Sequence, residues 1–122
     1  MYQAIKEKWV AALRSGEYKQ GTNCLKDGDY FCCLGVLTDL YAKEKGLTWI
    51  PNWGKDSKEV YGDAAVPSFH VVAWAGLKEC NPTVVVPESI RGKTGFHCES
   101  LAQMNDRGYT FEQIADTIEQ QL

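Results

Sequence analysis

Tyr30-Phe31-Cys32-Cys33-Leu34-Gly35-Val36-Leu37-Thr38-Asp39-Leu40-Tyr41 is the stretch around which the chain is organised. Cys33, Val36, Leu37 and Leu40 recur at helical spacing, and Tyr30, Leu34, Leu37 and Tyr41 form a second row. Two apolar rows on one short helix leave almost no wet side, so this element is expected to be buried. Gly35 and Thr38 keep one flank narrow enough for a second backbone to approach. The helix should run from about Leu34 to Glu44 and stop at Gly46.

Working outward, Asp27-Gly28 lies between Thr22–Lys26 and Tyr30–Cys33 and predicts a tight hairpin. Upstream, Tyr2, Ile5, Trp9, Ala12 and Leu13 share one face of an amphipathic helix over Met1–Ser15, ended by Gly16. Downstream, Thr48-Trp49-Ile50 reads as a short strand cut off by Pro51. Asn52–Asp63 reads as an irregular surface loop holding Trp53 and Tyr61. Ser68 is placed to cap a short helix, and Thr83–Val86 is the strongest strand signal. Ser89–Phe96 suits an exposed loop or edge strand. Leu101–Met104 reads as a short helix broken by Asn105-Asp106-Arg107-Gly108. Thr110 with Gln113 then predicts a capping box opening the last helix, with Tyr109 and Ile114 as its staple. The expected class is α+β, a single domain of about four or five helices packed with a small antiparallel sheet.

Bulk properties narrow the function. The chain has 122 residues, 44% hydrophobic and 24% charged, with a formal charge of −3. That length is ample for one core, and that charge disfavours long nucleic acid and anionic membrane as partners. No run reaches the roughly 18 apolar residues of a membrane span, and no basic-then-apolar leader opens the chain, so a cytoplasmic location is expected. Five cysteines fit neither zinc spacing nor a secreted disulfide framework, and are read as reduced thiols, mostly buried. No metal or other cofactor is expected.

Arg91-Gly92-Lys93-Thr94-Gly95 is the foremost candidate site. Two cations, a hydroxyl and pliant backbone are what a phosphate oxygen selects in place of water. It is not a P-loop, because Pro87 stands where the first glycine is required. The competing reading is a solvated turn. Asn105 and Arg107 lie in a turn between two helices, from which Arg107 can clamp a carboxylate or phosphate; the plainer reading is a connector. Glu112, Asp116 and Glu119 on the following helix oppose a DNA-reading role. Lys19 and Gln20, beside Tyr18 and Gly21, offer a cation and an amide for a nucleotide, or simply cover the sheet. A cysteine hydrolase needs a histidine within reach of a thiol, and adjacent His97 and Cys98 rarely achieve this.

Three blocks also carry a resemblance: Lys8–Gly21, Tyr30–Leu40 and Ser100–Ala115. Together they resemble small phage-borne proteins, among them the Thoeris anti-defence sponges. That resemblance implies a non-catalytic protein that sequesters cyclic ADP-ribose isomers made by TIR-domain enzymes, with cyclic oligonucleotides as a further ligand class. It also implies a homo-oligomer, a dimer or larger. It carries no ligand-pocket signature, so Lys19, Gln20, Arg91, Gly92, Lys93, Thr94, Asn105 and Arg107 rest on their chemistry alone. The alternatives are a small hydrolase using a cysteine or acid residue, and a protein-binding phage inhibitor.

Overall fold

The structure, a computed structural model, describes residues 1–50, 60–92 and 95–122. Its elements in chain order are α1 (Gln3–Arg14), β1 (Lys19–Gln20), β2 (Lys26–Asp27), β3 (Tyr30–Phe31), α2 (Cys33–Lys45), β4 (Trp49–Ile50) and β5 (Val60–Tyr61). There follow α3 (Phe69–Ala75), β6 (Thr83–Val85), α4 (Glu88–Arg91), β7 (Cys98–Ser100), α5 (Leu101–Asp106) and α6 (Phe111–Gln121). The class is α+β.

The centre is α2. Every residue from Cys33 to Asp39 is buried, and Gly46 ends the helix in the left-handed conformation at φ 67°. Cys32 caps its start by an uncommon route: its Sγ accepts from the Gly35 N–H at 3.3 Å. Trp9 of α1 is fully buried and donates from Nε1 to the Cys33 carbonyl at 2.9 Å. Packing of α1 on this centre, and of α6 on α1, collects Ile5, Leu13, Leu37, Met104, Ile114 and Ile118 into the core. Arg14 of α1 adds an exposed ion pair with Asp116 (2.5 Å) and Glu119 (2.7 Å) of α6, a small contribution in water.

The close approach expected at Gly35 comes from the Leu25 backbone. A Cβ on Gly35 would stand 1.8 Å from the Leu25 carbonyl oxygen and 2.7 Å from its carbon. Leu25 is thereby seated on α2. Its carbonyl accepts from the Cys32 N–H at 3.3 Å and its own N–H donates to Ala64 at 2.8 Å.

Among the described residues the strands are distributed over three small sheets. The hairpin around Gly28 is present, β2 lying antiparallel to β3, and β1 adds to the other edge of β3 in parallel. β4 and β5 pair in parallel, and β6 and β7 pair antiparallel with Val84 opposite Glu99. Val60 and Tyr61 therefore belong to a strand although Asn52–Asp63 reads as irregular; Trp53 lies outside the described residues. Two further corrections concern the candidate loops. Glu88–Arg91 is a helical turn following Pro87, where a loop or edge strand was expected. Asn105 and Asp106 remain helical, and only Gly108, at φ 96°, takes the left-handed turn. Both α5 and α6 open on capping boxes, Ser100 with Gln103 and Thr110 with Gln113; the first is an addition to the sequence reading.

A buried acid joins α2 to its surroundings. Asp39 accepts from the Tyr18 hydroxyl (2.5 Å), Trp49 Nε1 (2.8 Å) and Lys43 Nζ (3.1 Å). Burial by itself pushes the Asp39 carboxyl up, but those bonds outweigh it and hold it below the usual range. The stability this group contributes is present above the ordinary Asp pKa and fades as pH falls through the lowered one.

Gly35→Leu is expected to lose more than about 3 kcal/mol in urea unfolding, because rigid backbone rather than a movable side chain occupies the space. An unchanged midpoint would contradict the seating of Leu25 on α2.

Candidate functional site

The eight residues singled out from the sequence fall into three places. Gln20 and Asn105 form the first, and it is structural. Asn105 is 1% exposed, and its Oδ1 accepts from the Cys33 N–H (3.1 Å) and from Gln20 Nε2 (3.0 Å). Its Nδ2 donates to the Gly21 carbonyl at 2.7 Å. Gln20 Nε2 also donates to the Tyr109 carbonyl (2.7 Å), and its Oε1 accepts from the Phe111 N–H (3.1 Å). Cys33 and Phe111 are the first residues of α2 and α6, whose N–H groups have no partner within their own helices. Two side-chain amides thus supply the missing acceptors and tie β1, α2, α5 and α6 together. The polar atoms of Gln20 and Asn105 are thus engaged in internal hydrogen bonds.

Lys19 is the second place. It is exposed on β1, with Nζ 6.0 Å from the Tyr30 ring centroid, in a different sheet from β7.

Arg91 and Arg107 make the third. Arg91 ends α4, and its Nη1 donates to His97 Nδ1 at 2.7 Å. Because a guanidinium only donates, Nδ1 must accept, which places the neutral ring's proton on Nε2. Arg107 follows α5. Its Cζ lies 4.4 Å from the Phe96 ring centroid, and its Nε is ion-paired with Glu99 Oε1. Two arginines distant in sequence thus engage one short segment, residues 96–99, at the start of β7. Gly92 is left-handed at φ 71°, and a Cβ on Gly95 would stand 2.2 Å from the Arg91 carbonyl oxygen. Lys93 and Thr94 lie outside the described residues.

Glu99, Phe96 and His97 are the parts of this corner that sequence reasoning missed. A glutamate flanked by Cys98 and Ser100 carries no sign of being buried; only the register opposite Val84 reveals it. Phe96, 55% exposed, is an apolar ring held at the surface.

The thiols offer no activated nucleophile among the groups whose titration is displaced. Burial pushes Cys32 up to about 11 and Cys33 well above its ordinary value, and also raises Cys24. Raised thiols are protonated at neutral pH and react poorly. Among the described residues, no three His, Cys, Asp or Glu side chains cluster as metal ligands. No helix among them is long and apolar enough to cross a membrane.

Asn105→Ala is expected to cost about 3 kcal/mol or more in chemical denaturation, since it strands several buried partners at about 1–3 kcal/mol each. A loss under about 0.5 kcal/mol would contradict this structural role of Asn105.

No curated protein and no solved structure matches the chain. The family match spans residues 1–122, and the chain belongs to the DUF8296 family, a domain of unknown function.

Proposed function

We propose that this protein captures a small cyclic nucleotide signal without cleaving it, in the manner of the anti-defence sponges it resembles. The ligand class is the cyclic ADP-ribose isomers made by TIR enzymes, with cyclic oligonucleotides second. The protein would act as a homo-oligomer in the cytoplasm, the host's if it is phage-encoded. The observation that carries the reading is the convergence of Arg91 and Arg107 on residues 96–99, beside the exposed Phe96 ring. Guanidinium donors suit phosphate oxygens, and an exposed ring suits a base or ribose face. Gly92 leaves open space for an approaching group, since a Cβ there would meet nothing within 4 Å.

Burial raises the thiols of Cys24, Cys32 and Cys33, which makes these three poor nucleophiles, while Cys80 and Cys98 are exposed. Lys93 and Thr94 complete the proposed phosphate loop by their chemistry alone. Lys19 has no part in this corner.

The experiment is ligand capture. The protein is incubated with cyclic ADP-ribose isomers, desalted, heat-denatured, and the released material identified by mass spectrometry. Intact ligand is expected. Altered ligand would indicate a hydrolase, and no ligand would turn the argument towards a protein-binding inhibitor. Arg91→Ala should weaken binding by about 1.5–3 kcal/mol, roughly ten- to a hundredfold. It should leave the melting temperature unchanged, because His97 is exposed and is not stranded. Unaltered affinity in that variant would remove Arg91 from the site.

A further inference from the structure

Arg107 is held in a way that a solvated connector does not require. Its partner Glu99 stands in the middle of β7, opposite buried Val84, with only 2% of its side chain exposed. Neither Glu99 carboxylate oxygen has a hydrogen bond of good geometry among the described residues. The charge is compensated by Arg107 through one contact at Nε, and the Arg107 side chain is itself half exposed. A buried carboxylate so sparsely satisfied is costly, and a valine or glutamine would fill the centre of a short strand at less expense.

We infer that Glu99 and Phe96 are positioning residues that aim Arg107 at a phosphoryl group; the inference rests on the ligand-capture reading above. Glu99 engages the guanidinium at Nε, and among the described residues neither Nη group donates a hydrogen bond, so the paired Nη groups form a planar donor edge. Phe96 lies against the face of the same group and limits its rotation. An arginine fixed at one nitrogen and one face presents a fork of two parallel N–H donors. The complement of that fork is two oxygens of one phosphoryl group. Arg91 is held by the same kind of device, since His97 Nδ1 takes one of its donors. His97 then carries its own proton on Nε2, a further donor in the same corner.

The test turns on sign. Glu99→Gln keeps the side chain's size and removes a negative charge from beside Arg107. Were Glu99 only a neighbouring charge, its loss would tighten anion binding. If it positions Arg107, its loss frees the guanidinium and binding weakens. Isothermal titration with cyclic ADP-ribose isomers should show about tenfold weaker binding, the size seen when the partner orienting a ligating side chain is removed. Phe96→Leu, at an exposed position, should weaken binding in the same direction, and Phe96→Tyr should restore it. Melting temperatures are recorded alongside, because a purely structural role would lower stability while leaving the affinity of the folded fraction unchanged. Equal or tighter binding by Glu99→Gln overturns the inference. Should that variant fail to fold, unchanged affinity in Phe96→Leu overturns it instead. Failure of the unmodified protein to bind any isomer would remove the capture reading itself, a result distinct from binding that these variants leave unaltered.

Discussion

The seating of the Leu25 backbone on Gly35 is the constraint on which the rest of the structure depends. At 1.8 Å from a notional Cβ, the Leu25 carbonyl occupies space that every residue but glycine would fill. That carbonyl also receives the Cys32 N–H, and Cys32 in turn caps α2 through its sulfur. One contact therefore fixes where the hairpin lies, where α2 begins, and which of its faces meet α1, α3 and α5. A buried helix with apolar residues all round has no wet side to set its rotation. Here a close backbone contact sets it.

From that fixed start the order passes along hydrogen bonds to the candidate site. The first N–H of α2 is satisfied by Asn105, whose amide also meets Gln20 and Gly21. Gln20 in turn satisfies the first N–H of α6. The turn carrying Arg107 is thus bounded by a saturated buried network on one side and by Glu99 on the other. A side chain projected from such a corner loses less freedom on meeting a ligand than one on a mobile loop. The Gln20 and Asn105 amides, read from the sequence as candidate ligand contacts, make these internal bonds beside the arginine turn.

Much of the fold was legible because it obeys short-range rules. The hairpin at Gly28, the stop at Gly46, the capping box at Thr110 and the narrow flank at Gly35 each follow from local chemistry and are present. The division into three small sheets was not legible. Two-residue strands carry no periodicity, and the parallel pairings β1–β3 and β4–β5 join segments whose partners the sequence does not identify. For the site, Arg91 and Arg107 were recognisable as cations beside glycine. Their shared segment was not, because it depends on the long-range pairing of β6 with β7. Glu99 was hidden for the same reason: alternation over three residues does not say which face is buried.

In the proposed capture role, the acceptors behind the two arginines, His97 and Glu99, would give a fixed grip on an anion. The most direct measurement is nitrogen-15 NMR of the arginine Nε–H and histidine ring signals during titration with cyclic ADP-ribose isomers. Arg91, Arg107 and His97 are expected to shift together along one saturation curve, with the Gln20 and Asn105 side-chain amides nearly still. Ligand binding that leaves both guanidinium signals unmoved, or that moves the Asn105 amide in their place, would contradict that grip.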